Sequence, residues 1–279
     1  MSYCIIVKGK ATTNAPVSLA FDPAIEALAA GNRVMIKISE STPKTADVLQ
    51  KLVAHAFHEE EMAVVTGEAD VSAYFAALPW DKFVFTGGSE IGKKILAAAA
   101  PNLTPVILEL GGKSPLVVLP DADLKIAGEK MALGRQGNAG QICLSVDYAL
   151  VPQEHLEEII QIVVETDQKC FPTLIDNPTV SSIITQRSYD RIVGYIDEAK
   201  AAGCRVLQVN PNHEPLPDPI TRKIPLTLVI NPDAHLQVSR SEVFGPVLSI
   251  YTYRHLDEAI ELINSKEKPL GLYIFGKRK

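Results

Sequence analysis

The stretch KFVFTGGSEIGKKILAAAA, from Lys82 to Ala100, decides the fold class. It begins as a short apolar run, breaks at the adjacent glycines Gly87 and Gly88, and continues as a helical pattern into a run of alanines. Such an apolar run is typical of a strand buried in a parallel sheet, and the helix after it returns the chain to the start of the next strand. The stretch therefore predicts one β–α unit of an α/β sheet.

The same succession repeats along the first part of the chain. Five short apolar runs alternate with four helical patterns, and the runs are YCIIV, RVMIKI, EMAVVTG, DKFVFTG and TPVILELGG. This alternation predicts a doubly wound parallel sheet, in which ligands bind beyond the carboxyl ends of the strands. Residues directly after each strand are therefore the first candidates for a site.

After Gly111 the alternation starts again. Helical patterns separate the apolar runs SPLVVLP, DYALVP, LTLVI, PVLSIYTY and LGLYIF, and the proline- and asparagine-rich residues 208–224 are predicted as loops. We therefore expect two α/β domains, 1–111 and 112–279, each built on a doubly wound parallel sheet, with a cleft between them.

The composition excludes several classes of protein. A chain of 279 residues with 47% hydrophobic and 22% charged residues is typical of a soluble globular protein of one or two domains. The net charge of −6 and the lack of a Lys/Arg-rich run argue against nucleic acid as a partner. No apolar run approaches the ~20 residues of a membrane span, and the start MSYCIIVKGK has no basic leader, so we expect no membrane partner and no targeting signal.

Cysteines and histidines are spread along the chain without pairing patterns. The four cysteines form no CxxC pair, which argues against a disulfide framework and favours a reducing cytoplasm. The six histidines lack the spacing of metal ligands, so we predict no metal site. These histidines are His55, His58, His155, His213, His235 and His255.

The stretch GNAGQICLSV, from Gly137 to Val146, places Cys143 among small and polar residues. Structural cysteines usually lie among aliphatic side chains, where they behave as small hydrophobes. Here the small residues let a substrate approach the backbone, and polar neighbours such as Gln141 and Ser145 can donate hydrogen bonds. The pattern suits a nucleophile, although a tolerated loop thiol remains the alternative.

Glu109 stands at the end of the fifth strand, in LELGGKSP. A carboxylate at an apolar strand end costs several kcal/mol unless it is paired or neutralised. One interpretation is a general base whose pKa is raised by burial. The alternative is a structural role, either as a partner of Lys113 or as a helix cap.

The glycines after the fourth strand open a helix, in FTGGSEIGKK. Backbone N–H groups at such a helix start can hold a phosphate. The spacing from Gly87 to Gly92 and Lys93 nearly matches a P-loop, but Lys94 stands where a P-loop needs Ser or Thr for Mg²⁺. A phosphate cradle is therefore favoured over a nucleoside triphosphate site.

Five ordered motifs resemble the NAD(P)-dependent aldehyde dehydrogenases. They are NRVMIKISE, FTGGSEIGKKI, LELGGKSP, NAGQICLSVDY and EVFGPV, and they extend over nearly the whole chain. The GQIC…DY segment looks closest to the class 3 and coniferyl aldehyde dehydrogenase branch. The resemblance implies oxidation of an aldehyde, with an aromatic aldehyde of the coniferyl type as the candidate, to the carboxylic acid through a thiohemiacetal and a thioester on a cysteine.

The resemblance also assigns roles to residues. It makes Cys143 the nucleophile, Glu109 the base that activates water, and Asn14 a donor to the oxyanion. It implies NAD as cofactor, with NADP as the alternative, bound by the domain 1–111, and places the nucleophile in the catalytic domain 112–279. The implied cofactor-binding residues are Lys37 and Glu40 for the adenosine ribose, Gly87, Gly88, Ser89 and Gly92 near the pyrophosphate, Leu110 and Gly111 after the fifth strand, and Glu242 and Phe244 for the nicotinamide ribose and ring.

The chain departs from the family pattern at several points. KGKATTNAP stands where members usually have Pro-Trp before the oxyanion asparagine, KISE replaces KPSE, and SVDY replaces APDY. Members also extend beyond both ends of this chain, so we expect a truncated second domain, loss of segments that form the family homodimer, and slow turnover. Two other functions stay open: a non-catalytic cofactor-binding remnant and a P-loop nucleotide-binding protein.

Overall fold

The computed structural model describes residues 4–8 and 14–277, with side chains from residue 14 onward. Tyr3, the first residue of the first predicted strand, lies outside the described residues. The chain divides into two compact units, Met1–Leu110 and Gly111–Lys279, and each is described by itself.

Unit 1 is a five-stranded parallel sheet with four helices, which confirms the predicted doubly wound architecture. The strand order is β3-β2-β1-β4-β5, so the chain reverses its direction of winding between β3 and β4. The strands are β1 (Cys4–Lys8), β2 (Arg33–Lys37), β3 (Met62–Val65), β4 (Lys82–Gly87) and β5 (Val106–Leu110). The helices are α1 (Ser18–Ala29), α2 (Pro43–Ala56), α3 (Ala69–Ala76) and α4 (Ser89–Ala99).

Short sequence signals place the helices of unit 1. α1 buries Ala20, Ala24 and Ala27, whose spacing of four and three puts them on one face. The helix ends where Gly31 adopts a φ of +77° and donates to the carbonyl of Leu28, while the next N–H donates to Ala27. This Schellman arrangement needs a residue that tolerates the left-handed region, which explains the glycine.

Unit 2 contains a six-stranded sheet in the order β11-β6-β7-β10-β9-β8. Its strands are β6 (Ser114–Val118), β7 (Val146–Pro152), β8 (Arg205–Gln208), β9 (Thr227–Ile230), β10 (Val247–Tyr253) and β11 (Tyr273–Phe275). Its helices are α5 (Leu124–Gln136), α6 (Leu156–Cys170), α7 (Gln186–Ala201), α8 (Gln237–Arg240) and α9 (Leu256–Asn264).

One part of the predicted second sheet is wrong. β8 pairs antiparallel with β9 at the sheet edge, so this sheet is mixed rather than wholly parallel. This strand was not predicted, because RVLQ is only four residues long, follows α7 directly and is fully buried at none of its positions. Antiparallel edge strands on parallel sheets are common.

β7 forms the buried centre of unit 2. All seven of its residues are buried, and it pairs with β6 on one side and β10 on the other. α5 and α6 pack closely on each other, because Gly128 has no side chain where a Cβ would lie 2.6 Å from Ile162, and both helices share a hydrophobic cluster with β7. A strand fixed on all sides gives a rigid base for the loop that precedes it. Among the described residues, no helix is long and apolar enough to cross a membrane.

Candidate active site

Cys143 lies in the loop that joins α5 to β7. The loop leaves α5 at Gln136, makes a 3₁₀ turn over Gly137–Gly140 and enters β7 at Val146. Cys143 is half-buried there, whereas Cys170 at the end of α6 is exposed. The predicted nucleophile therefore lies neither in the apolar core nor on an open surface.

The backbone before Cys143 passes through the left-handed region three times in succession. Asn138 and Ala139 have φ values of 49° and 52°, and Gly140 follows at 69°. Each non-glycine residue in this region costs roughly 1–2 kcal/mol, and such strain persists only where the surrounding structure imposes it. A Cβ on Gly140 would lie 2.2 Å from the carbonyl oxygen of Gly245, so the turn packs directly against the segment before β10.

The buried side chain of Gln141 holds the loop on the side before Cys143. Its Nε2 donates to the carbonyls of Asn138 and Ser182, each at 3.1 Å, and its Oε1 accepts from the N–H of Ile184 at 2.9 Å. Gln141 therefore ties the turn to the segment that leads into α7.

Ser145 and Tyr273 hold the loop on the other side. The Oγ of Ser145 accepts from Nη1 of Arg135 at 3.2 Å, and the hydroxyl of Tyr273 donates to the carbonyl of Leu144 at 2.7 Å. With both flanks fixed, the backbone N–H of Cys143 has a set direction, which a preorganised oxyanion donor needs.

Glu242 and Gly111, two of the predicted cofactor-binding residues, lie together in unit 2. A Cβ on Gly111 would lie 2.2 Å from Oε1 of Glu242, so the carboxyl group packs on bare backbone, and the N–H of Gly112 donates to it. Burial raises the pKa of Glu242 to about 7, and the charge of Asp147 adds to the rise. Phe244, two residues further on, has a φ of 46° and is half-buried.

In unit 1, Lys37 stands at the end of β2. Its side chain is buried and its Nζ donates to the carbonyl of Ile38 at 2.7 Å. Burial lowers the pKa of Lys37, and the charges of Glu40 and Glu68 oppose that shift. The ammonium group is therefore hydrogen-bonded to a backbone carbonyl and feels the negative charge of two carboxylates.

A groove of about 220 Å³ opens beyond the carboxyl ends of β2 and β3. Its polar lining includes Ser39, Glu40, Asp47, Gln50 and Glu68. This is the edge where doubly wound sheets bind ligands, and a carboxylate there can accept hydrogen bonds from ribose hydroxyls. Neither Asp47 nor Glu68 was among the residues predicted from the sequence.

The predicted phosphate turn joins β4 to α4. Gly87 ends β4 in register with Leu110, and Gly88 caps α4, which starts at Ser89. A Cβ on Gly88 would meet no atom within 4 Å, so there is room for a ligand at this helix start. Gly92 instead faces Leu110, since a Cβ there would lie 3.1 Å from its Cδ2, which gives Gly92 a packing role.

The expected burial of Glu109 is wrong. Glu109 is exposed, because β5 is an edge strand of the described sheet and its residues alternate between half-buried and exposed. The alternative partner is also excluded: the Nζ of Lys113 donates to Asp147 and to the carbonyls of Val238 and Ser241. The role of Glu109 as a base stays a prediction that does not rest on burial.

Asn14 lies in the turn that precedes α1 and is half-buried. Its Oδ1 is buried and has no hydrogen-bond partner among the described residues. The side chain is therefore not committed to a structural bond through that oxygen, and its predicted contact with an oxyanion stays a prediction.

The sequence profile of the aldehyde dehydrogenase family matches residues 11–279. The chain belongs to this family. The probable coniferyl aldehyde dehydrogenase of Caulobacter vibrioides is 46% identical over 263 residues, which cover 94% of this chain and 54% of that protein. This aldehyde dehydrogenase chain thus spans about half the length of the curated relatives that it matches.

Solved structures agree with the family assignment. The substrate-bound state of AldH from Staphylococcus aureus superposes with a TM-score of 0.90 at 33% identity and covers 100% of this chain and 58% of that one. The Mycobacterium tuberculosis aldehyde dehydrogenase complexed with NAD⁺ gives a TM-score of 0.86 at 28% identity, covering 99% of this chain and 57% of that one. A nicotinamide cofactor is therefore supported for the family fold.

A buried ionic group in this aldehyde dehydrogenase chain was not predicted from the sequence. Lys113, Arg135 and Asp147 are all buried, and none was predicted to act at the site. A charged residue inside the apolar run around Asp147 was the available signal, because a lone buried carboxylate needs partners. Among the described residues, no group of three or more His, Cys, Asp or Glu side chains forms a metal site.

Proposed function

We propose that this chain carries the residues for oxidising an aldehyde to a carboxylic acid with a nicotinamide cofactor, with Cys143 as nucleophile. The observation that carries the proposal is the placement of Cys143 in a strained loop, fixed on both flanks and packed through Gly140 against the segment that bears Glu242. Strain of this kind is concentrated at functional sites.

In the proposed reaction, the thiolate of Cys143 forms a C–S bond with the aldehyde carbon, and the carbonyl electron pair moves to oxygen. The N–H of Cys143 and the side-chain amide of Asn14 donate to this oxyanion, and each such donor is worth about 3–4 kcal/mol. A nicotinamide cofactor, when bound, would accept the hydride released as the C–H bond of the former aldehyde carbon breaks, which would leave a thioester on Cys143. Glu109 then removes a proton from water, whose oxygen attacks the thioester carbon, and the C–S bond breaks to release the acid.

The residues present fit a dinucleotide in unit 1 and a nicotinamide ribose beside Glu242. Glu40 lines the groove, and its carboxylate can accept hydrogen bonds from ribose hydroxyls. The open space at Gly88 leaves room for a phosphate at the N-terminus of α4. Glu40 and Glu68 together put negative charge at the groove, which opposes an additional 2′-phosphate. We therefore propose NAD rather than NADP, with unit 1 as the dinucleotide-binding domain and unit 2 as the catalytic domain.

The proposed substrate is an aromatic aldehyde of the coniferyl type. The support is the identity of 46% with a probable coniferyl aldehyde dehydrogenase over most of this chain. Aliphatic aldehydes such as hexanal are the comparison class, and we expect them to form less adduct on Cys143 than coniferaldehyde does.

The test combines cofactor binding with adduct formation on the purified chain. NADH binding is measured by the quenching of Trp80 fluorescence. Adduct formation with coniferaldehyde and NAD⁺ is measured by intact mass spectrometry. Cys143→Ser is the test variant, and Cys170→Ser is the matched control. We expect NADH binding and an acyl adduct that depends on Cys143 alone. Glu109→Gln should increase the adduct by slowing hydrolysis.

Other outcomes assign the alternative functions. Cofactor binding with no adduct on Cys143 would leave a non-catalytic cofactor-binding unit. Affinity for ATP that needs Mg²⁺ and Lys93, without affinity for NADH, would indicate a nucleotide-binding protein. The second outcome is disfavoured by the exposed side chain of Lys93, which pairs with Glu90 at 2.8 Å.

A further inference from the structure

Unit 2 contains a buried ionic group, the Asp147 cluster, formed by Lys113, Arg135 and Asp147. The three residues are 7%, 1% and 1% exposed. Nζ of Lys113 donates to Oδ1 of Asp147, and Nη2 of Arg135 lies 3.6 Å from Oδ2. Two cations and one anion are thus taken out of water at the base of the Cys143 loop.

The cluster holds the Glu242 segment, residues 238–245, which carries the predicted nicotinamide residues Glu242 and Phe244. Val243 directly follows Glu242, and its N–H donates to Oδ2 of Asp147 at 2.9 Å. Lys113 donates to the carbonyls of Val238 and Ser241 at 2.9 and 3.1 Å. Charged side chains therefore hold the chain on both sides of Glu242.

The same cluster holds the strand entry after Cys143. Nη1 of Arg135 donates to Oγ of Ser145 at 3.2 Å and to the carbonyl of Val146 at 2.9 Å. Asp147 is the next residue of this strand. The cluster therefore has one hydrogen-bonded end on the nucleophile loop and the other on the Glu242 segment.

Stability alone gives a weak reason for such a cluster. Taking charges out of water costs several kcal/mol per ion, and well-packed apolar side chains of similar size are often as stable or more so. What charged groups add is a set of directed bonds that apolar packing lacks. Here all of these bonds end on two backbone segments that also meet directly, where Gly140 packs on Gly245.

We propose that Asp147 and Arg135 are positioning residues that fix the Cys143 loop relative to the Glu242 segment, so that a cofactor bound at Glu242 changes the reactivity of Cys143. The inference rests on the proposed function. When cofactor binding displaces Val243, the Asp147 oxygen that accepts its N–H moves with it. Arg135, which pairs with Asp147, then shifts, and Ser145 and Val146 shift because Arg135 donates hydrogen bonds to both. Neither residue touches the reacting atoms.

The test measures the alkylation rate of Cys143 by iodoacetamide with and without saturating NAD⁺, by peptide mass mapping. The quantity compared is the ratio of the two rates, in wild type, Asp147→Asn, Arg135→Met and Arg135→Lys. We expect a ratio that departs from unity by severalfold in wild type, falls close to unity in Asp147→Asn and Arg135→Met, and is partly restored in Arg135→Lys.

A milder variant and a control separate positioning from folding. Ser145→Ala removes one bond of Arg135 and leaves every charge in place, so it keeps the test valid if the charge variants do not fold, and we expect it to lower the ratio. Ile159→Val weakens the core of unit 2 at a residue of α6, which belongs to neither segment. It should lower the melting temperature and leave the ratio unchanged.

The outcomes distinguish this inference from the proposed function. If wild type binds NADH and forms the Cys143 adduct but the ratio is unity, or if the ratio survives in all cluster variants, the inference is overturned and the function stands. If wild type neither binds NADH nor forms the adduct, the proposed function fails and the inference fails with it.

Discussion

Asp167 is a buried carboxylic acid on α6. It is 0% exposed, and neither carboxyl oxygen has a hydrogen-bond partner among the described residues. Burial raises the pKa of Asp167 from 3.8 to about 7. We predict that Asp167→Asn makes the protein more stable relative to wild type as the pH rises.

The size of the effect follows from this pKa. The pKa rises by about three, and each unit corresponds to about 1.4 kcal/mol, so ionised Asp167 lowers the free energy of unfolding by up to about 4 kcal/mol above pH 7. Because the folded pKa exceeds the unfolded one, this cost is absent below pH 3.8, grows between 3.8 and 7 and is constant above 7. Between about pH 5.5 and about pH 8, the cost rises by about 2 kcal/mol.

The assay is urea unfolding followed by far-UV circular dichroism at these two pH values. The buried amide of Asn carries its own cost of about 1–3 kcal/mol, which does not depend on pH. The quantity to compare is therefore the stability of Asp167→Asn minus that of wild type, which should increase by about 2 kcal/mol from the lower to the higher pH.

Glu158→Gln is the matched control on the same helix, because Glu158 is exposed. Its stability difference from wild type should stay within about 0.5 kcal/mol at both pH values. A difference for Asp167→Asn that does not change with pH would show that Asp167 finds a proton donor or water when ionised, and the burial argument would then be refuted.

Three further predictions concern residues of unit 2. Gly140→Ala should destabilise unit 2 by more than about 3 kcal/mol in thermal unfolding, because at a φ of +69° its Cβ would lie 2.2 Å from the carbonyl oxygen of Gly245. The control is Gly134→Ala, which lies on a helix with open space around it and should stabilise unit 2 by up to about 1 kcal/mol. Thr185→Ala should cost about 1 kcal/mol in urea unfolding, because the Thr185 hydroxyl caps α7. NADH should bind up to about tenfold more weakly near pH 6 than near pH 8, because Glu242, with a pKa of about 7, is mostly protonated at the lower pH. Fluorescence titration measures the affinity, and Glu242→Gln should show no such change with pH.

The sequence by itself determined the alternation of strands and helices and the loop that holds Cys143. These features follow from local chemistry: a short apolar run between glycines makes a buried strand, and small residues such as Gly140 are needed where the backbone must turn sharply. The same local patterns carried the family resemblance, because the motifs are continuous stretches of chain.

Only the tertiary structure decided which strand lies at an edge and which charges meet. β5 has the apolar composition of a buried strand, but as the edge of the described sheet it leaves Glu109 exposed. Lys113 and Asp147 stand 34 positions apart in the sequence, and Val243 stands 96 positions beyond Asp147. Such pairs form because parallel strands bring distant segments to one end of a sheet, and once buried there a charge must find its partner across the fold.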